Sequence, residues 1–424
     1  MPTSRPARGP KRPTYKPEPR VRRGAVRLPP EVASHIRAGH PFVFRDALGP
    51  RPLSAAAGEA IELLDGDGQI VGRGLYDGAG TVAVRVVTRD PRQAIGRDLF
   101  TARVHAAVAR RAAVLRDDPA RPTNAYRLIH AEGDGVPALT VDRYGDFLVA
   151  QIFSSAIEPH LPDLYDALIA AVAPRAIYAQ ARQRPQSGEG PRAPATLQRG
   201  ELAPVEIEVL EDGLRFLVDV TAPLGTGLFL DLRRGRKVIG EHARDRRVLN
   251  LFSYTGAFSV YAARGGAREV VAVDLAQRAH ARARRNLEIN GLDQVPYEAV
   301  TGDALKVLAR MAERGRKFDL AIVDPPSFAQ RQGAAKSGVF TVQRDYPELV
   351  EAVLRVCERG ALVAFVSNTM KVQAAELDRA IGLGAFRAGR EVRVIDRVGL
   401  PPDFPLPAGY LDGNYLKFFL TLVD

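Results

Sequence analysis

The chain has 424 residues, of which 46% are apolar and 26% are charged, so it is long enough to form two or three domains with buried cores. Its single cysteine excludes a disulfide framework and a cysteine-based zinc cluster, and no apolar run is long enough to span a membrane. Pro and Arg stand at the N-terminus where a signal peptide has its apolar stretch, so we expect a cytoplasmic protein.

The net charge of +11 is concentrated at the N-terminus. Residues 1–24 contain eight basic residues against Glu18 alone, a net +7 that leaves only +4 for the remaining 400 residues. The same segment has six prolines and almost no large apolar side chain, which predicts a disordered tail. A flexible basic arm could bind nucleic-acid phosphates or could only keep the protein soluble, and the charge alone does not decide between the two.

Residues 25–93 predict a small β-barrel. Apolar and β-branched runs such as Ile61–Leu64 and Thr81–Val87 are separated by turn signals such as Asp65–Gly68. Several short strands in about 70 residues are typical of such a barrel. The segment Arg37–Phe44 lies between a short helical stretch and these strands.

Residues 94–204 predict a mixed α+β block. It opens with an Ala- and Arg-rich helix at about residues 98–116, and Leu139–Ile152 predicts a hairpin with its turn at Tyr144–Asp146. A further helix and strand lead into Arg182–Arg199, whose Pro, Gly, Gln and Arg content predicts a mobile loop.

Residues 205–424 alternate between strands and helices, which predicts a mostly parallel α/β sheet with helices on both faces. Two late strands, 391–398 and 415–423, are expected to complete the edge of this sheet. The predicted strands before them are 247–252, 269–273, 298–301, 318–323 and 361–367, and the predicted helices are 256–264, 276–290, 304–314 and 346–358.

The carboxyl ends of these strands carry the residues that bear on function, because ligands of such sheets bind there. The first strand ends in Asn250–Phe258, and the next three end in Asp274, Asp303 and Asp324–Phe328. Asp274 lies 18 residues beyond Gly256, a spacing at which an acid can accept hydrogen bonds from a ribose. Each Asp alone could simply cap the following helix.

The residues at 254–259 read Tyr-Thr-Gly-Ala-Phe-Ser, so the G-x-G-x-x-G fingerprint of dinucleotide binding is missing. A pyrophosphate needs the close backbone approach that those glycines allow. S-adenosylmethionine contains a ribose and an adenine but no phosphate, and it therefore fits the three acids better.

Asp324-Pro325-Pro326 forms a stiff turn after a buried strand, because two prolines restrict the backbone and leave carbonyls without neighbouring donors. Such a turn can hold an acceptor and a carbonyl against the amino edge of a base, and Phe328 could stack on that base. The alternative is a rigid strand exit that binds nothing.

With these motifs, the chain resembles the bacterial large-subunit (23S) ribosomal RNA methyltransferases of the RlmI/RlmK type. The resemblance implies a PUA RNA-binding domain at 25–93, a central domain at 94–204 and a Rossmann-like class I methyltransferase domain with a seven-stranded sheet at 205–424. The matching segments are Arg37–Phe44, Ala125–Pro137, Val141–Asp146, Thr226–Arg233, Asn250–Phe258 and Asp324–Phe328.

The resemblance further implies S-adenosyl-L-methionine as the cofactor and 23S rRNA as the partner. A homodimer is an open expectation, and no metal is expected. The seven histidines show no metal-ligand spacing, which agrees with this. The implied cofactor site comprises Phe252, Tyr254, Thr255, Gly256, Asp274, Asp303 and Asp324.

The chain departs from the family at two places. It has Gly225 where the family usually has Lys, and it has Asn368 in the segment Val366–Lys371, where the branch that makes 5-methylcytosine places a nucleophilic cysteine. Cytosine C5 reacts poorly until a thiolate adds at C6, so that cysteine is hard to replace. Cys357 cannot substitute, because it is predicted in the helix 346–358 within an apolar stripe as a packed thiol.

Guanine N7 already carries an in-plane lone pair, so its methylation requires mainly alignment and desolvation. The segment Val342–Tyr346 and the pair Ser367-Asn368 are similar to the guanine-N7 branch, so we favour methylation of a base nitrogen. The predicted catalytic residues are Asp324, Pro325 and Asn368, and the predicted substrate contacts are Phe328, Arg344 and Arg233.

Three other functions remain open: a 5-methylcytosine enzyme, a non-catalytic RNA-binding or assembly factor, and a methyltransferase for small molecules. Most of the basic residues clustered between Arg233 and Arg247 are expected to be solvated helix charges, with an RNA-backbone track as the alternative.

Overall fold

The computed structural model describes residues 24–49, 53–115, 118–182, 193–223, 225–326 and 342–424. The predicted tail up to residue 23, Phe328 and residues 183–192 of the predicted loop lie outside the described residues. In the part that is described, no helix combines the length and the apolar character needed to cross a membrane.

The first block is a five-stranded sheet with one helix. The predicted turn Asp65–Gly68 joins β3 to β4, and Asp65 Oδ1 stabilises it by accepting hydrogen bonds from the backbone amides of Asp67 (3.0 Å) and Gln69 (2.8 Å). The sheet order is β1-β3-β4-β5-β2. The elements are β1 (Ala25–Arg27), α1 (Pro30–Arg37), β2 (Phe42–Phe44), β3 (Ala60–Leu64), β4 (Ile70–Tyr76) and β5 (Val82–Thr88).

The second block is another five-stranded sheet, in the order β10-β9-β8-β7-β6, with two helices. Its β7–β8 hairpin is the one predicted from the sequence. The elements are α2 (Arg97–Leu115), β6 (Ala125–His130), β7 (Leu139–Tyr144), β8 (Phe147–Ile152), α3 (Leu161–Val172), β9 (Ala176–Ala181) and β10 (Thr196–Gly200).

The prediction of a mobile loop up to Arg199 is wrong for its last residues, because Thr196–Gly200 forms β10 and pairs antiparallel with β9. The physical reason is the edge of β9, whose backbone donors and acceptors are paired by this further strand. Leu197 packs against the core at this edge. A single apolar side chain among polar ones gave no period-2 pattern to read.

The third block carries a seven-stranded sheet in the order β15-β14-β13-β16-β17-β19-β18. Among the described strand pairs of this sheet, only β17–β19 and β19–β18 are antiparallel. A separate hairpin, β11 (Ile207–Glu211) and β12 (Leu214–Val218), precedes it. The remaining elements are α4 (Arg233–Glu241), β13 (Arg247–Leu251), α5 (Ala257–Arg264), β14 (Glu269–Asp274), α6 (Gln277–Glu288), β15 (Tyr297–Thr301), α7 (Ala304–Glu313), β16 (Phe318–Val323), α8 (Val342–Arg355), β17 (Cys357–Ser367), α9 (Ala374–Ala388), β18 (Val392–Val398) and β19 (Lys417–Val423).

The strand order reverses at β13, which pairs with β14 on one side and with β16 on the other. A ligand of a doubly wound sheet binds at this switch point, outside the carboxyl ends of the strands. The residues after β13 and β16 are 252–256 and 324–326, so the fold brings the predicted site segments to one place.

Cys357 is the first residue of β17 and not part of a helix, so the predicted helix 346–358 is wrong at its end. The apolar residues before Cys357 have the spacing of a helical stripe. Cys357 itself pairs with Phe318 of β16 and is therefore part of a strand. The predicted burial is correct, since Cys357 is fully buried. Burial raises the pKa of its thiol to about 12, which leaves almost no thiolate at neutral pH.

The connection between β18 and β19, residues 399–416, contacts all three blocks. A Cβ on Gly39 would lie 2.0 Å from the carbonyl oxygen of Ala408, and a Cβ on Gly133 would lie 1.8 Å from that of Pro405. On the third block, Tyr415 donates a hydrogen bond to Asp231. The segment Arg37–Phe44 therefore serves as a docking surface for this connection.

Candidate functional site

A cavity of about 400 Å³, named here the strand-end cavity, lies at the carboxyl ends of β13, β14 and β16. It brings together most of the site residues predicted from the sequence. Its lining residues are Gly227, Phe229, Leu232, Arg236, Phe252, Ser253, Tyr254, Thr255, Ala257, Phe258, Asp274, Leu275, Asp324, Pro325, Pro326 and Asn368.

The loop after β13 reverses the chain within a few residues. Phe252, Tyr254 and Gly256 have φ angles of 57°, 48° and 76° respectively. Gly256 does not line the cavity but shapes it, because a Cβ there would lie 2.6 Å from Cβ of Ala283 on α6. Only glycine combines this left-handed conformation with the close approach of α6.

Asp274, the last residue of β14, is held in place by two backbone amides. Its Oδ2 accepts a hydrogen bond from the amide of Tyr254 and its Oδ1 accepts one from the amide of Ala276, both at 2.8 Å. An ionised carboxylate has about four acceptor sites, so each oxygen can accept a further bond. Asp274 is therefore oriented to receive two neighbouring hydroxyls, such as those of a ribose.

Two lining residues that were not predicted also suit a ligand with a ribose and an adenine. The buried Ser253 Oγ has no hydrogen-bond partner among the described residues, and a buried polar atom normally has one. Leu275 keeps 60% of its surface exposed and offers an apolar face to a planar ring. Both lie in or beside strand ends that the sequence identified, but the direction of each side chain could not be read from it.

Tyr254 and Thr255 fix the opposite wall of the cavity. The Tyr254 hydroxyl donates to the carbonyl of Gly225 at 2.9 Å, and the Thr255 hydroxyl donates to the carbonyl of Gly227. These bonds tie the segment 225–227 to the loop after β13. A Cβ on Gly225 would make only ordinary contacts, the nearest at 3.5 Å, so space does not explain the absence of the lysine that the family has here.

Asp324 is half-buried at the end of β16 and has an unusual proton affinity. Burial, together with the negative charge of Asp231, raises its pKa to about 7. Arg236 acts in the opposite direction, but its guanidinium is engaged by Glu211 in two hydrogen bonds of 2.7 and 2.6 Å. Near neutral pH, the protonated and the ionised forms of Asp324 are therefore both populated.

Asn368 follows β17 and faces the same cavity as Asp324 and Pro325. Tyr346 on α8 donates to the carbonyl of Val366 at 3.0 Å and so fixes the end of β17 just before Asn368. The amide of Asn368 provides a donor and an acceptor at the place where an acid and a proline turn already stand.

Other predicted site residues lie outside this cavity. Asp303 is exposed and accepts a hydrogen bond from the amide of Lys306 as the N-cap of α7. Arg344 is exposed and forms two hydrogen bonds of 2.9 Å with the neighbouring Asp345. Neither arrangement tests the predicted role, so both roles stay predictions.

Arg233 is buried and forms an ion pair with Asp403, which is itself fully buried. Arg236 is buried as well, so the expectation of solvated charge is wrong for both residues. The cause is the packing of α4 against buried carboxylates of other segments, which a sequence cannot show. Because its guanidinium faces the interior, we assign Arg233 a structural role and do not carry it forward as a substrate contact.

Phe229 is an aromatic residue of the site that was not predicted from the sequence. It is 45% exposed, and its ring lies 5.3 Å from the ring of Tyr254. It belongs to the segment Thr226–Arg233, which was recognised as a motif, but nothing in the pattern indicated that it would face outward. Because it lines the strand-end cavity and is exposed, its ring is available to stack on a base.

Two family models match the chain. Residues 26–89 match the PUA-like domain, and residues 127–413 match the S-adenosylmethionine-dependent methyltransferase model. These matches confirm the predicted fold class, and the predicted boundaries between the domains stay predictions.

Curated relatives are similar over almost the whole chain. The ribosomal RNA large subunit methyltransferase I of Photobacterium profundum is 34% identical over 392 residues, which cover 92% of this chain and 96% of the relative. The Escherichia coli protein of the same name is 34% identical over 384 residues, which cover 91% of this chain and 95% of the relative.

Two solved structures share the fold. SMU.776, classed as a methyltransferase and solved in complex with S-adenosylhomocysteine (SAH), has a TM-score of 0.83 at 24% identity and covers 94% of this chain and 99% of its own. A protein of Streptococcus mutans, classed as S-adenosylmethionine-dependent, has a TM-score of 0.82 at the same identity and coverage.

Proposed function

Since the chain belongs to the family of S-adenosylmethionine-dependent methyltransferases that contains the ribosomal RNA large subunit methyltransferase I enzymes, we propose that it methylates a base nitrogen of 23S rRNA, with guanine N7 as the favoured atom. The observation that carries the choice of atom is the strand-end cavity itself. Asp324, Pro325 and Asn368 line it together, and none of the lining residues that the structure describes is a cysteine.

The cofactor would occupy the part of the cavity around Asp274. When bound, S-adenosyl-L-methionine supplies an electrophilic methyl group. Asp274 would accept hydrogen bonds from the ribose hydroxyls, Ser253 Oγ would gain a partner that it lacks among the described residues, and Phe252 and Leu275 would provide apolar contacts. The role of Asp303 at the adenine end is part of the proposal, although its side chain does not line the cavity.

The target base would lie against Asp324, Pro325 and Asn368, with Phe229 as a stacking face. The predicted stacking residue Phe328 lies outside the described residues and keeps this role as an alternative. The N7 lone pair of the aligned guanine would take up the methyl group that the cofactor supplies, and the base would then carry the positive charge. No residue has to remove a proton or add to the ring, so the chain needs only to align the base and exclude water.

Methylation at cytosine C5 would need a thiolate. In the described residues the thiol belongs to Cys357, which is fully buried and has a pKa raised to about 12. This favours nitrogen over carbon as the methylated atom. The PUA-like block at 26–89 and the basic tail would add affinity for RNA.

The test is methyl transfer in vitro to 23S rRNA isolated from a strain that lacks the gene, followed by mass spectrometry of the nucleosides. We expect 7-methylguanosine. A 5-methylcytidine product would contradict the proposed atom, and binding of rRNA without any methyl transfer would favour an assembly factor.

A further inference from the structure

A second cavity, of about 150 Å³, lies between the central sheet and the third block and is named here the inter-domain cavity. The residues on its central-sheet side come from neighbouring strands and alternate along them, as residues on one face of a sheet do. They are Arg127 on β6, Asp142 and Tyr144 on β7, Val149 and Gln151 on β8, and Gln180 on β9, with Arg182 just after β9.

The inter-domain cavity shares a wall with the strand-end cavity. The segment 225–232 forms this wall, since Gly225, Thr226 and Asp231 line the inter-domain cavity whereas Gly227 and Leu232 line the strand-end cavity. Phe229 lines both of them. The negative charge of Asp231 reaches Asp324 across this wall and contributes to its raised pKa.

The polar groups of the inter-domain cavity are held by existing bonds and keep acceptor capacity. Tyr415 donates to Oδ2 of Asp231 at 3.0 Å, and Arg127 donates to Oδ1 of Asp142 at 2.6 Å. Each carboxylate therefore has a fixed orientation and further lone pairs that a ligand can use. Preorganised groups of this kind lose little freedom when a ligand binds.

From this arrangement we propose that the inter-domain cavity receives the Watson–Crick edge of the target guanine and that Asp231 is a specificity-determining residue. The inference rests on the proposed function. Guanine presents two adjacent N–H donors, N1–H and the 2-amino group, and a carboxylate can accept both. The N7 atom lies on the opposite side of the purine, so a guanine that reaches past Phe229, the residue that lines both cavities, would direct N7 toward the strand-end cavity.

The central domain then takes part in base recognition and is more than a spacer between the other two. The base has to leave its stack to enter the cavity, as it does in other enzymes that act on bases. Phe229, which lines both cavities, would replace part of the lost stacking.

The main test compares Asp231→Asn with wild type. Asparagine keeps an oxygen for Tyr415 but replaces one acceptor with a donor that opposes the guanine N–H groups. We expect kcat/KM for the target RNA to fall roughly 5- to 150-fold, as for the loss of a bidentate contact to a base, while the affinity for SAH measured by calorimetry stays unchanged.

A matched control is Asp212→Asn. Asp212 also contacts a tyrosine hydroxyl, that of Tyr261 at 2.9 Å, but it lines a different cavity. This variant should methylate RNA as the wild type does. If Asp231→Asn fails to fold, Gln151→Leu removes a polar group from the same cavity, and we expect the same direction of change.

A second readout separates base recognition from a structural role. A synthetic RNA with inosine at the methylated position lacks the 2-amino group. Wild type should prefer guanine over inosine, and Asp231→Asn should lose most of that preference. The inference would be overturned if wild type and Asp231→Asn had equal kcat/KM and the same preference for guanine over inosine. The proposed function would still stand in that case, provided that the wild type transfers the methyl group to guanine. A wild type that forms no methylguanosine overturns both.

Discussion

At the scale of single residues, Asp274 has the most clearly defined geometry in the site. Its two oxygens are oriented by backbone amides, and it lines a cavity with the Ser253 hydroxyl, which has no partner in the part of the chain that the structure describes. The sequence predicted this residue from its place at a strand end and its spacing from Gly256. It could not predict Ser253, because the direction of that side chain depends on the φ angles at Phe252 and Tyr254. It could not predict Leu275 either, because its exposure depends on the turn after β14.

Replacing Asp274 with Ala should weaken binding of SAH at least about tenfold, because hydrogen bonds to a charged group contribute roughly 1.5–3 kcal/mol each. Isothermal titration calorimetry measures this directly. Asp303→Ala is the comparison, and we expect a smaller loss because Asp303 is exposed and outside the cavity lining. Unchanged affinity in Asp274→Ala would contradict the assigned ribose site.

The raised pKa of Asp324 predicts a characteristic pH dependence of stability. The carboxyl group releases its proton near pH 4 in the unfolded chain, but its pKa is raised to about 7 in the folded protein. The folded state therefore holds more protons between these values, and the free energy of unfolding should fall as the pH rises through this window and level off above it.

Asp324→Asn removes this ionisation, so its stability relative to wild type should be greater at pH 8 than at pH 5. Urea unfolding at the two pH values measures the difference. A constant difference between the two proteins across this range would show that the Asp324 carboxyl titrates normally.

At the scale of secondary-structure elements, the strands of the third block were predicted well because buried parallel strands appear as continuous apolar runs between helical patterns. The failures occurred where a neighbouring strand decides the outcome. Cys357 joins β17 because Phe318 offers it a partner, and Thr196–Gly200 forms β10 because β9 has a free edge.

Cys357→Ala should lower the free energy of unfolding by about 1 kcal/mol, a typical value for a point mutation, without changing methyl transfer to rRNA. The thiol is fully buried and has a raised pKa, so it can pack but cannot act as a nucleophile. Chemical denaturation and single-turnover methylation test the two parts. A folded variant with no transfer would point to thiol chemistry.

At the scale of the whole molecule, the connection 399–416 contacts all three blocks and joins them. Its buried Asp403 accepts from the backbone amide of Arg127 at 2.9 Å and pairs with Arg233, so one carboxylate joins the second block to the third. The sequence marked Arg37–Phe44 as a motif but not as a docking surface. Contacts between distant segments leave no periodic pattern, so this role could be seen only in the folded chain.

Gly133→Ala should disturb this junction, because its Cβ would lie 1.8 Å from the carbonyl oxygen of Pro405. We expect a loss of about 1–3 kcal/mol in the free energy of unfolding. Gly66→Ala is the matched control, since a Cβ there has nothing within 4 Å. Equal urea midpoints for the two variants would show that the junction tolerates a side chain.

The central claim is that the carboxyl ends of β13, β14 and β16 bind the adenosyl donor. A crystal structure of the full chain with SAH tests this most directly. We predict that the ligand lies in the strand-end cavity with its ribose hydroxyls on Asp274 and its sulfur facing Asp324 and Asn368, where the target base would lie. A ligand in the cavity around Lys237 and Tyr261, or a strand-end cavity that stays closed to it at saturating concentration, would contradict the account.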